Sequence, residues 1–302
     1  MDKSSFSGDR RAARTAFFSD SLSIGASGWH AAGMGPGRVL LAAVMMGLGI
    51  RGFYYGDFAS VWQRIPIEHL PGQQLFVYAF AAIELVTGLG LLARRTVAFS
   101  SGILFVFLLL WAVLLKLPAV VFAPQMEATW LGLGEITVIL AGGWILLALH
   151  AGAWARSHLK FLVGTSGVRW ARLLFVLSLP TIGLSHFVYA GETVQFIPAW
   201  LPWHYGWTYL TGAGSIAASI GILFAICPRL AAMLEAVMLS VITLLVWLPG
   251  LVAAPGNGSW TPFLMSTAIA CGAWVVADSY RGVAWLGVGT SSGARSNKPA
   301  TQ

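Results

Sequence analysis

The sequence predicts an all-α polytopic membrane protein of about eight transmembrane helices, built as two parallel four-helix repeats. Three observations predict it. Hydrophobic residues make up 57% of the 302-residue chain and charged residues 10%, where a soluble domain carries about 25% charge. Seven or eight windows are long enough to cross a bilayer, which takes about 20 mostly apolar residues. The chain also repeats itself at an offset near 131 residues.

Residues 1–35 are rich in Ser, Gly, Ala and Arg and show no helical period; they read as a disordered cytoplasmic tail. Apolar runs then predict helices over 38–55, 74–93, 97–117 and 128–150, and over 170–190, 208–226, 230–252 and 260–280. This gives a first four-helix unit at 36–155, a second at 156–282, and a Gly/Ser-rich disordered tail at 283–302. The connections 56–73 and 191–207 each carry two prolines together with Trp and acids, and read as interfacial segments.

The net charge of +7 is not spread as a nucleic-acid footprint, so no nucleic-acid partner is expected. Fifteen of the 18 Lys and Arg residues fall on one side of the predicted topology. That places both termini in the cytoplasm of a cell-inner-membrane, multi-pass protein and requires an even helix count. Cys227 and Cys271 lie in or beside apolar runs without a C-x-x-C spacing, so they read as small buried hydrophobes.

The repeat is visible in short matches. LKLPAVVFAP (115–124) and VWLPGLVAAP (246–255) agree at 5 of 10 positions. Trp130 and Trp144 fall over Trp260 and Trp274 at an offset of 130, and Phe53 and Tyr55 over Phe187 and Tyr189 at 134. Four helices return the chain to its starting side, so the units are parallel, related by a pseudo-two-fold along the membrane normal. In lipid, close packing of small residues holds helices together. Gly88, Gly90, Gly132, Gly142, Gly143 and the pairs Gly214/Ala218 and Ser215/Ser219 are the predicted packing faces.

An ionisable group at a helix centre costs about 2.5–3.5 kcal/mol on insertion scales, so each needs a partner or a purpose. The first unit has Arg51, Glu84, Lys116 and Glu135, two of each sign, all between the outer surface and the bilayer middle. The second unit has Ser185, Ser215, Trp247 and Met265 at those positions, and His186 near the outer end of its helix. The candidate intramembrane polar site is therefore Arg51, Glu84, Lys116 and Glu135 of the first unit, with His186 of the second. It reads either as structural ion pairing or as a ligand or proton site. The candidate outer vestibule is Trp62, Glu68, His69, Glu192, Trp203 and His204, either an aromatic interfacial belt or a guide for an amphipathic ligand. A haem would need axial ligands such as His186 with His69 or His204, and no spacing signature supports one. No metal motif is present. GLGIRG (47–52) and GTSSG (289–293) lack the strand context their motifs require. Asn257-Gly258-Ser259 is a glycosylation sequon on the outer side.

The helix holding Glu84, Gly88, Leu91-Leu92, Arg95 and Ala98 resembles the DoxX-like membrane family. The second unit is similar to its more divergent pattern in His186-Phe187, Ile197-Pro198, Leu201-Pro202, Gly212 to Leu223 and Pro228 to Ala232. The resemblance implies four-helix membrane bundles, some of them subunits associated with redox enzymes. The leading expectation is an accessory or redox-associated subunit, with a quinone- or proton-linked site and a partner subunit. The alternatives are a permease for a small or amphipathic solute and an enzyme acting on a lipid-soluble substrate.

Overall fold

The structure is a computed structural model that describes Leu22 and residues 35–59 and 71–288. Helices α1 (Pro36–Tyr55), α2 (Gln73–Leu92), α3 (Val97–Phe122) and α4 (Glu127–His150) are followed by the short α5 (Ala153–His158). Then come α6 (Gly164–Val188), α7 (His204–Leu223), α8 (Pro228–Ala253) and α9 (Asn257–Asp278), and no strand is present among the described residues. Seven of these, all but α5 and α7, are long and apolar enough to cross a membrane by length and composition. They mark the chain as a membrane protein.

The predicted sixth span, 208–226, is present as α7 but falls outside those seven. The reason is its composition. Thr208, Thr211, Ser215 and Ser219 recur at helical spacing along it, and Thr208, Ser215 and Ser219 are buried. Burying hydroxyls between neighbouring helices lowers hydropathy without exposing them to lipid.

The predicted end of the third helix, at 117, is also corrected: α3 continues through Pro118 to Phe122. A proline inside a helix lacks an N–H and clashes with the carbonyl four residues back. A π turn at Ala112–Lys116 widens the helix just before Pro118. The same device, Thr243–Trp247, precedes Pro249 in α8.

The packing order interlocks the two halves. α1 packs on α2 and α9, and α6 packs on α7 and α4. α3 bridges α2 to α4, and α8 bridges α7 to α9. α4 and α9 pack on each other and are the most enclosed spans, 72% and 67% buried. Their contact is glycine on glycine: a Cβ on Gly142 would sit 2.9 Å from Gly272 Cα, and one on Gly272 would sit 2.8 Å from Val138 O.

Other crossings also depend on absent or small side chains. A Cβ on Gly49 would meet Ala81 O at 2.6 Å, and one on Gly183 would meet Gly212 O at 2.6 Å. Gly88 lies against Ala42 O (2.8 Å from an added Cβ), and Ser219 Oγ donates to Val176 O at 2.7 Å. These contacts pair up at the sequence offsets. Gly183 and Val176 lie 134 residues after Gly49 and Ala42, while Gly212 and Ser219 lie 131 after Ala81 and Gly88.

At the end of the bundle holding Asp278, Arg38 reaches His150 Nε2 at 3.3 Å and Leu92 O. Arg172, 134 residues later, is fully buried. It donates to Ser279 Oγ (2.9 Å), Ser279 O and Leu22 O (2.9 Å), and its guanidinium lies 3.6 Å from the centroid of the Tyr280 ring. Burial pushes the Tyr280 phenol above its ordinary value, with the Arg172 charge opposing the shift. Arg172→Met keeps the stem but strands these acceptors, each at about 1–3 kcal/mol. We expect a lower midpoint in thermal denaturation of the purified protein, beyond the effect of substituting methionine for the incompletely buried Arg169, whose guanidinium lies over the Trp170 ring.

Candidate functional site

The structure divides the sequence-predicted polar set in two. Near the last turn of α1, Arg51 is buried, donates to Asp57 O at 3.0 Å and bonds Asn257 Oδ1 at the start of α9. Asn257 Nδ2 in turn donates to Asp57 Oδ2 at 3.2 Å. Glu84, also buried, interacts electrostatically with Arg51. This cluster ties α1 to α9 and engages the asparagine of the sequon. Asp57 and Asn257 belong to it although neither lies within an apolar run, which is why a search for charges inside helices missed them.

Lys116 and Glu135 form the second group and interact electrostatically. Lys116 closes the π turn of α3, and its Nζ would lie 3.5 Å from a Cβ on Gly132, so this glycine makes room for the ammonium beside α4. Glu135 sits three residues further along α4.

Glu135 faces a cavity of about 470 Å³ that lies mostly in the second half of the chain. α4 contributes Leu131 and Glu135, α6 contributes Ile182, Ser185 and His186, and α7 contributes Trp207, Thr208 and Thr211. The π turn of α8 supplies Leu245, Val246 and Trp247, and the segment Phe196–Pro198 with Leu201 covers one side. Phe196 and Trp247 pack with ring centroids 5.4 Å apart. The walls are overwhelmingly apolar, and a few polar groups converge on them: Glu135, His186, Ser185, Thr208, Thr211 and Ser266. His186 Nδ1 and Thr211 Oγ1 are 3.1 Å apart. Size and lining are those of a small-molecule site.

Among the described residues, aromatic side chains stand at the corresponding positions of the first half. At the offset of 131, Thr211 falls over Phe80 and Ile242 over Trp111; at 134, His186 falls over Gly52. Phe80 packs on Phe58 (5.6 Å), Phe107 (5.8 Å) and Trp111 (5.1 Å), and Phe107 packs on Trp111 (5.7 Å). Phe58, Phe107 and Trp111 are buried. Arg51, Lys116 and Glu135 correspond to the cavity residues Ser185, Trp247 and Met265. Of the predicted intramembrane set, Glu135 and His186 line this volume, and Arg51, Glu84 and Lys116 do not. Residue types at aligned positions could have pointed to the second half, since the larger aromatics stand in the first unit.

One carboxylate was missed. Glu235 on α8 is 1% exposed, and Ser215 Oγ donates to its Oε1 at 2.9 Å. Ser215 stands where the first half has Glu84, and Glu235 where it has Leu104. The second half has therefore not lost its carboxylate; it presents one from the adjacent helix. The rule that picks out Glu84, an ionisable residue within an apolar run, picks out Glu235 equally.

Of the predicted vestibule, Trp62, Glu68 and His69 lie outside the described residues. Glu192 sits in the short turn Ala190–Thr193. Trp203, 84% exposed, and His204, within 3.2 Å of Pro198 O, border a shallow hollow with Val194, Gln195, Tyr205 and Gly206. Neither lines the cavity. Among the described residues, no group of three or more His, Cys, Asp or Glu is placed to hold a metal ion.

Fold and site together define a helical membrane protein with an apolar, polar-tipped cavity between its helices. A family model described as a domain of unknown function (DUF8561) matches residues 175–254, from the middle of α6 to the end of α8. That stretch contributes most of the cavity wall. No curated protein and no solved structure matches the chain.

Proposed function

We propose that this is a DoxX-like inner-membrane protein of two parallel four-helix units whose second unit binds an amphipathic, lipid-soluble molecule, a quinone in the leading reading. On this reading α7 is the eighth span, the termini are cytoplasmic, and the end holding Asn257 faces outward. Duplication is supported by the paired crossings at offsets 131 and 134 and by the π turn before a proline in both α3 and α8. It is supported further by the Gly142–Gly272 contact. Two residues 130 apart that touch each other are what a pseudo-two-fold axis between α4 and α9 requires.

The observation that carries the ligand reading is the cavity of about 470 Å³, with His186, Glu135 and a few hydroxyls on its mostly apolar wall. The residues fit a quinone: aliphatic and aromatic walls suit an isoprenoid tail, and the imidazole and hydroxyls suit ring carbonyls. A bound quinone would supply two-electron redox chemistry to a partner enzyme. The chain's own residues would orient the head, exclude water and offer protons at His186 and Glu135. A permease using the seam between α4 and the second half would place its solute in the same volume.

The test is equilibrium binding of a short-chain quinone to the purified full chain, read by quenching of tryptophan fluorescence. Saturable binding is expected, weakened about tenfold by His186→Ala and by Glu135→Gln, roughly 1.4 kcal/mol each. Non-saturable partitioning, the same in both variants, would overturn the assignment. Solute flux in proteoliposomes without quinone binding would favour the permease.

A further inference from the structure

A hydroxyl-lined face leads away from the cavity. On α7, Thr208 and Thr211 line the cavity, Ser215 lies one turn beyond Thr211, and Ser219 one turn further. On α8, Leu239 lines the cavity and Glu235 lies one turn beyond it, facing Ser215. A turn is about 5.4 Å of rise, so this carboxyl sits just beneath the cavity floor. Its Oε1 accepts from Ser215, whereas its buried Oε2 has no hydrogen-bond partner among the described residues.

The first half places a cation near its buried carboxylate. There Glu84 has the Arg51 guanidinium as its electrostatic counterpart. The residue equivalent to Arg51 is Ser185, and among the described residues Ser215 is the group found acting on the Glu235 carboxyl. Several charged and titratable groups on the surrounding helices are engaged elsewhere. Arg172 is bonded to Ser279 and Leu22 O, Arg229 to Val283 O, Asp278 to Gly37 N and Arg281, and His186 to Thr211. A buried carboxylate without a counter-charge costs several kcal/mol in low dielectric, which binding a single proton removes.

We propose that Ser215–Glu235 is a proton-binding site, in which Glu235 carries an exchangeable proton on Oε2 while Ser215 holds Oε1. The reaction is the addition of one proton to one carboxylate. It requires no oxidant or other co-reactant and does not depend on which ligand fills the cavity. With the hydroxyls of α7 running from the cavity to this acid, the site is placed to exchange its proton with the cavity end of the helix pair.

Infrared difference spectroscopy of the full chain in lipid, in H2O and in D2O, tests this near neutral pH. A protonated-carboxyl C=O band that shifts in D2O is expected, lost in Glu235→Gln and retained in Glu84→Gln. Glu235→Gln is isosteric and still accepts from Ser215, so the fold is preserved. Ser215→Ala removes one donor and should move the same band to higher frequency without abolishing it. A spectrum in which Glu235→Gln removes no such band, or in which Glu84→Gln removes it instead, would overturn the proposal. Because no ligand is added, the outcome is separable from that of the quinone-binding measurement.

Discussion

Thr211→Phe combined with Ile242→Trp is expected to abolish ligand binding while leaving the protein folded. The two substitutions copy Phe80 and Trp111, which occupy the equivalent positions in the first half and pack there at 5.1 Å. Thr211 and Ile242 line the cavity, and two large rings would occupy much of its volume of about 470 Å³. The loss should be at least ~100-fold in affinity, about 2.7 kcal/mol. Fold is checked by circular dichroism and gel filtration in detergent, binding by tryptophan quenching. Thr211→Val, which keeps the size and removes the hydroxyl paired with His186, should cost far less. Equal losses in the two variants would mean that the hydroxyl, and not the space, is what the ligand needs.

Gly142→Ala should destabilise the protein, while Gly143→Ala, one residue along, should not. A Cβ on Gly142 would stand 2.9 Å from the Cα of Gly272, so backbone must move where α4 and α9 cross. Such overpacking typically costs 1–3 kcal/mol. A Cβ on Gly143 would meet Leu108 Cδ1 at 3.4 Å and the Leu104 side chain at 3.8 Å, ordinary contacts, and alanine is the better helix former. The check is the midpoint of thermal unfolding of both variants in the same detergent. Gly272→Ala should behave like Gly142→Ala, because the two glycines face each other across one crossing.

Much of the fold was legible because it rests on periodic, local signals. Long apolar runs separated by prolines and basic residues marked the helices, and the matched LKLPAVVFAP and VWLPGLVAAP segments each fall at the end of a long span. The structure places a π turn in front of the proline of each segment. Less legible were features that depend on what faces what. The extension of α3 through Pro118 needed the widened turn, which has no composition of its own. The division of Arg51 and Glu84 from Lys116 and Glu135 reflects the packing of α1 on α9 and of α3 on α4, which spacing along one chain does not fix. The cavity is lined by Thr211 and Ile242 where the other half has Phe80 and Trp111, a contrast visible only once the positions are aligned. Glu235 was overlooked because attention went to aligned positions, and its carboxylate had moved from one helix to its neighbour.

The central claim is that the second half holds the ligand in the volume bounded by α4, α6, α7 and the π turn of α8. Photolabelling tests it most directly. A quinone carrying a diazirine on a short tail would be irradiated with the full chain in lipid and the adducts mapped by mass spectrometry. The account predicts competable adducts on residues 182–186, 207–211 and 239–247, lost in the Thr211→Phe, Ile242→Trp variant. Adducts confined to the aromatic cluster around Phe80 and Trp111, or adducts that excess unlabelled quinone does not reduce, would contradict it.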